Sequence, residues 1–156
     1  MMDAFKLIAI LHERNLFLST AESCTGGLLA GKLIEVPGAS DVYSEGFITY
    51  SNRAKEERLG VQGTTLQSYG AVSAECAIEM AQGAARVSHS DIGLSTTGIA
   101  GPGGGSADKP VGLVYIGISN CGRARAVECH FKGDRSSVRA QAVNAALGLL
   151  EEELDL

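Results

Sequence analysis

Thr20-Ala21-Glu22-Ser23-Cys24-Thr25-Gly26-Gly27 decides the reading of this 156-residue chain. Ahead of it, five of the six residues from Leu16 to Ala21 are apolar or β-branched, which predicts a buried strand. Behind it, Leu28-Leu29-Ala30-Gly31-Lys32-Leu33-Ile34 is apolar and helix-forming, and a helix is predicted over 26–36. The turn between them carries a carboxylate, two hydroxyls, a thiol and a Gly pair. A strand-to-helix turn of this kind exposes small polar groups beside the free amides of a helix N-terminus. In α/β proteins that is where nucleophiles and anion sites are placed. A plainer reading makes Ser23 or Thr25 the cap of the following helix.

Outward from that turn, the periodicity predicts helices over 4–13, 53–59, 73–87 and from Asp134 to about Leu154, with one or two helical turns at 64–69. Strands are predicted at 43–50, 92–97, 111–119 and 125–131, the last two joined by the hairpin signal Asn120-Cys121-Gly122. The order α-β-α-β-α-α-β-β-β-α predicts an α/β fold, a mixed sheet flanked by helices, in a single domain over 1–156. The acidic end Glu151-Glu152-Glu153-Leu154-Asp155-Leu156 reads as a solvated, fraying helix end.

Apolar residues make up 45% of the chain and Trp is absent, so the core must be aliphatic and Ala-rich. A net charge of -5 argues against non-specific nucleic-acid binding, which needs a basic surface. Four cysteines, Cys24, Cys76, Cys121 and Cys129, show no C-x-x-C or zinc spacing, and Cys76 and Cys129 read as small core residues. No metal or other cofactor is expected. The N-terminus lacks a signal-peptide layout and no apolar run is long enough for a membrane span, so a reducing, cytoplasmic setting without membrane contact is expected.

Two further polar islands accompany the first. Thr49-Tyr50-Ser51-Asn52-Arg53-Ala54-Lys55 follows a strand, and Lys55 falls in the first turn of the next helix. The helix dipole together with partial burial would lower the Lys55 pKa and suit it as a neutral base. Tyr50 could relay or donate a proton. The competing reading leaves Lys55 on a solvated face and Tyr50 as a core ring with a wet tip. The chain's three histidines, His12, His89 and His130, sit on a polar helix face, in a loop and on a strand, so a Ser-His-Asp triad has little support and Lys becomes the candidate base for Ser23.

The third island is the long loop from Thr96 to Pro110, with Gly98, Gly101, Gly103, Gly104 and Gly105. Such a loop can present amides in a concave nest for phosphate or an oxyanion, with Thr96, Thr97 and Ser106 as added hydroxyl donors. It lacks the Walker spacing. Arg135 and Arg139 share one face at the start of the last helix, where cations oppose the dipole, which points to a bound phosphate or carboxylate. Surface pairing of these arginines with Asp134 is the alternative.

Taken together, the segments TAESCTGG at 20–27, GFITYSNRAKEERLGV at 46–61, GAVSAE at 70–75 and TGIAGPGGGSADKPVGLVYIGI at 97–118 closely resemble the CinA C-terminal domain family in its stand-alone form. The resemblance spans nearly the whole chain. It implies a three-layer α/β/α sandwich and a nicotinamide-nucleotide amidohydrolase of the PncC type. Such enzymes hydrolyse the carboxamide of nicotinamide mononucleotide (NMN) to nicotinate mononucleotide and ammonia. It also implies Ser23 as nucleophile, with Lys55 and Tyr50 assisting. Substrate or oxyanion contacts are implied for Thr97 and the loop glycines Gly98, Gly101, Gly103 and Gly104, and for Arg135 or Arg139, between which the sequence does not choose; the turn residues Thr25, Gly26 and Gly27 are expected to offer their backbone amides to the same end. Activities housed in the N-terminal domain of longer family members are not expected. Homo-oligomers are expected, with the site near a subunit interface. Two other readings stay open: a non-catalytic nucleotide-binding module regulating competence or a DNA-damage response, and Mg²⁺-dependent phosphate-ester hydrolysis, for which Glu22, Asp108 and Asp134 form no obvious metal cluster.

Overall fold

A computed structural model describes residues 3–156. Its elements are α1 (Ala4–Glu13), β1 (Leu18–Glu22), α2 (Leu28–Ile34), a 3-10 turn (Ala39–Asp41), β2 (Tyr43–Ile48), α3 (Asn52–Leu59), α4 (Gly63–Tyr69), α5 (Ala74–Ser88), β3 (Ile92–Gly98), β4 (Leu113–Asn120), β5 (Arg123–His130) and α6 (Arg135–Glu153). The five strands form one mixed sheet in the order β2-β1-β3-β4-β5. β1 is parallel to both β2 and β3, and β3-β4 and β4-β5 are antiparallel. The predicted α/β architecture is therefore the observed one. Three helices rather than two separate β2 from β3, because the short apolar-poor stretch at 64–69 closes a full element, α4.

Helices cover both faces of the sheet. α1, α2 and α6 pack over one face around Leu7, Leu11, Leu29, Leu33, Val143 and Leu147. α5 lies on the other face, with α3 and α4 against it, around Leu59, Val61, Cys76, Met80 and Ala84. α5 approaches the sheet closely at two glycines. A β-carbon at Gly93 would overlap the Ala81 carbonyl oxygen, and one at Gly117 would overlap that of Ala77. The buried Ser95 hydroxyl uses the same closeness, donating to the Ala77 carbonyl at 2.6 Å.

Local chemistry sets the element ends. Ser73 caps α5 by accepting from the Cys76 amide, and Asp134 caps α6 by accepting from the Ser137 amide. Asn15 in the left-handed region turns the chain out of α1, so β1 begins at Leu18 rather than Leu16. Cys121 and Gly122, at φ 49° and 88°, make the two-residue β4-β5 turn. Two sequence expectations are corrected. Cys129 is only half-buried, since β5 is an edge strand, whereas Cys76 is in the core. The acidic end of α6 is tied down: Glu153 accepts from Asn120 at 3.0 Å and from Arg125 at 3.4 Å, and Leu154 is buried. No helix among the described residues is long and apolar enough to cross a membrane.

Candidate active site

The sheet order places β1 between its two parallel neighbours, so the connections leaving β1 and β2 diverge at their C-terminal ends. A crevice opens at such a switch point. The three polar islands of the sequence meet there, at the exits of β1, β2 and β3.

Strand alternation divides the first island. Leu18 belongs to the core under α2 and α6, and Ala21 to the core under α5. Glu22 therefore faces α2, and Ser23 faces the α3–α5 side. The Ser23 amide donates to the Thr96 carbonyl at 2.9 Å, extending the sheet pairing through the hydroxyl-bearing residue. The Glu22 carboxylate is buried and caps α2 from a distance: Oε1 accepts from the Leu29 amide at 2.8 Å and the Thr25 hydroxyl at 2.6 Å, and Oε2 from the Ala30 amide at 3.1 Å. The reading of Ser23 or Thr25 as the helix cap is corrected by this arrangement, because the residue at the cap position is Gly27 in a left-handed conformation and the acceptor is Glu22.

Lys55 supplies the second island's central group. Ser51 caps α3 through the Ala54 amide, which sets Lys55 in the first turn with its side chain directed inward. Lys55 is 1% exposed, and its Nζ donates to the Thr49 carbonyl at 2.8 Å and to Ser23 Oγ at 3.1 Å. Burial pushes the ammonium below the ordinary lysine range. The solvated-face alternative for Lys55 is thus excluded. Tyr50 is exposed rather than a core ring, and its hydroxyl accepts from Arg135 at 3.1 Å.

A cavity of about 300 Å³ opens over the pair. Ser23, Cys24, Tyr50, Asn52, Lys55, Ala71, Val72, Thr97, Gly98, Ile99, Ala100, Gly101, Gly103, Gly104 and Arg135 line it. The basic side chains in this wall are Lys55 and Arg135, and no carboxylate is among them. In a chain of net charge -5 that is a local reversal of sign.

The structure separates the two arginines. Arg135 lines the cavity and donates to the Gly101 carbonyl at 2.8 Å, fixing the base of the glycine loop. Arg139, one helical turn on, reaches behind the first island and donates to the Cys24 and Thr25 carbonyls at 3.0 and 3.1 Å. Thr25, Gly26, Gly27 and Arg139 are not in the cavity wall. Thr25 is fully buried, with its hydroxyl shared between Glu22 and Thr96. Thr97 is in the wall, but its hydroxyl proton goes to the Ala71 carbonyl at 2.8 Å. Ser106 accepts from the Lys109 amide at the exposed end of the loop, and Lys109 Nζ donates to the Tyr69 carbonyl. These hydroxyls shape the loop and its surroundings instead of donating into the cavity.

Burial also decides the Cys24 thiol, whose pKa is pushed up to about 11, against the lowering a helix N-terminus would give. Sequence reasoning missed Asn52, Ala71 and Val72 as wall residues. Asn52 adjoins Ser51 within the second island, and Ala71-Val72 open the GAVSAE segment, so both had a signal in position though none in chemistry. No group of three or more His, Cys, Asp or Glu side chains that could hold a metal occurs among the described residues.

The CinA C-terminal domain family model matches residues 4–154. A Clostridium acetobutylicum protein, provisionally named as competence-damage inducible, is 53% identical over 146 residues, 94% of this chain and 36% of its own length. A Clostridium novyi protein of the same provisional name is 57% identical over 145 residues, 93% of this chain and 35% of its own. The chain thus spans about a third of the length of these curated relatives. Among solved structures, the competence/damage inducible protein CihA of Agrobacterium tumefaciens superposes with a TM-score of 0.94 at 44% identity, covering 98% of this chain and 93% of that one. A CinA superfamily protein of Escherichia coli superposes with a TM-score of 0.90 at 37% identity, covering 97% and 90%.

Proposed function

The chain belongs to the CinA C-terminal domain family, and from that premise we propose that it is a nicotinamide-nucleotide amidohydrolase that converts NMN and water to nicotinate mononucleotide and ammonia. The observation that carries the reading is the buried Lys55–Ser23 pair, 3.1 Å apart, opening on a cavity that holds Arg135 and no carboxylate. A serine attacks an amide carbon only when a base takes its proton. Lys55, held toward its neutral form by burial, is that base.

Ser23 Oγ attacks the carboxamide carbon while its proton passes to Lys55 Nζ. The tetrahedral intermediate collapses, the C–N bond breaks, and the proton leaves with ammonia. Water then attacks the resulting ester, giving its proton to Lys55, and the carboxylate product departs as Ser23 regains its hydroxyl. Amides of the first turn or the Gly98 loop face the developing oxyanion; one such donor is typically worth about 3–4 kcal/mol. Arg135, the guanidinium in the wall, takes the substrate phosphate with the amides of Gly103 and Gly104. Tyr50, whose hydroxyl bonds Arg135, is on this reading placed to shuttle a proton or orient the arginine.

Ammonia release from NMN by purified protein, in EDTA, tests the proposal. Release by the wild type and none by Ser23→Ala supports a metal-independent serine amidase. Tight NMN binding without ammonia would put a non-catalytic nucleotide-binding module in its place.

A further inference from the structure

Resting on the reading of Ser23 as nucleophile, we propose that Glu22 is its positioning residue: by taking over the capping of α2, the Glu22 carboxylate keeps the adjacent hydroxyl free to face Lys55. A helix preceded by Ser and Thr ordinarily meets its first amides with one of those hydroxyls. Here the cap position is Gly27, which has no side chain to offer. Glu22 fills the role from seven residues upstream of Leu29. Both of its oxygens are engaged, by the Leu29 and Ala30 amides and by the Thr25 hydroxyl. The buried charge also suits the positive end of the helix.

Alternation along β1 makes the division of labour possible. Glu22 and Ser23 are consecutive, so their side chains leave the sheet on opposite faces. One meets α2 and the other meets Lys55 on α3. Glu22 lies outside the cavity wall and acts only through the turn it fixes. Removing its acceptors frees the Leu29 and Ala30 amides, and the turn that carries Ser23 loses its anchor to α2. An ångström-scale displacement of a reacting group is enough to cost about 100-fold in rate.

Glu22→Gln keeps the size of the side chain but sets an NH2 donor against amide donors. Glu22→Asp keeps the charge and withdraws it by one methylene. Both are compared with wild type by the rate at which a fluorophosphonate labels Ser23, a reaction in which Ser23 Oγ displaces fluoride from phosphorus and the proton leaves through Lys55. NMN turnover and melting temperature are measured alongside. In both variants labelling and kcat are expected to fall together by about tenfold or more, with KM for NMN unchanged and the fold retained. A folded variant that labels as fast as wild type overturns the proposal, and so does failure of both variants to fold, which would make Glu22 a folding residue only. Wild-type labelling without ammonia release would remove the amidase reading and leave the Glu22 comparison standing on labelling. Wild type that neither labels nor turns over would overturn both.

Discussion

Lys55 Nζ stands 3.1 Å from Ser23 Oγ, across 32 residues of chain, with both residues buried in the cavity wall. The burial that removes water from around this contact also lowers the lysine's pKa. Since the unprotonated amine is the base, kcat/KM should rise with pH along a limb set by Lys55, with a midpoint below that of free lysine. Stability follows the same sign. The unfolded chain binds this proton more tightly than the folded one, so stability is lowest where Lys55 is charged and climbs as pH rises from the folded pKa toward the unfolded value. Lys55→Met should reduce turnover by roughly 1,000-fold or more and flatten that part of the stability profile, as read from pH–rate curves and urea melts at about pH 7 and about pH 10.

Arg135 donates to Gly101 and Tyr50 from the cavity wall. A charged hydrogen bond to phosphate is worth about 1.5–3 kcal/mol, or roughly 10- to 100-fold. Arg135→Ala should raise KM for NMN by that factor with a smaller change in kcat. It should also erase the preference for NMN over nicotinamide riboside, which has no phosphate. Parallel kinetics with the two substrates decide the point.

Arg139 predicts the opposite signature. It binds the Cys24 and Thr25 carbonyls behind the turn. Arg139→Gln should lower kcat and the melting temperature together, by about 1–2 kcal/mol of stability or several degrees, and leave KM unaltered. A rise in KM alone would return this arginine to the substrate.

Cys24 lines the cavity next to the nucleophile, yet its thiol pKa is pushed up to about 11. It should resist iodoacetamide at neutral pH, and Cys24→Ala should retain turnover within severalfold. Loss of activity in that variant would call for thiol chemistry at the site.

Much of this was legible in the sequence because strand exits collect functional groups. Ser23, Lys55 and the Gly98 loop each follow a strand, and parallel strands must end at a common edge, so residues far apart in sequence could be placed together. The two arginines could not be told apart, because residues four apart share a helix face and only the turn's position along α6 separates them. Glu22 was visible as a carboxylate but not as a cap, since its bonds reach seven and eight residues forward across a turn whose shape depends on the left-handed Gly26 and Gly27. Thr96 and Thr97 look like donors to a ligand because sequence does not show which hydroxyl protons the fold has already used.

The interior position of Lys55 bears on how this chain would evolve in the laboratory. A lysine buried against one hydroxyl and one carbonyl opposes folding when it is charged, and an apolar substitute of similar volume is often neutral or favourable for stability. A library screened only for heat tolerance should therefore drift toward Met or Leu at position 55 and yield sturdy, inert survivors. Screening for turnover at the same time would hold the lysine in place and push the stabilising changes to the outer surfaces of α1, α4 and β5.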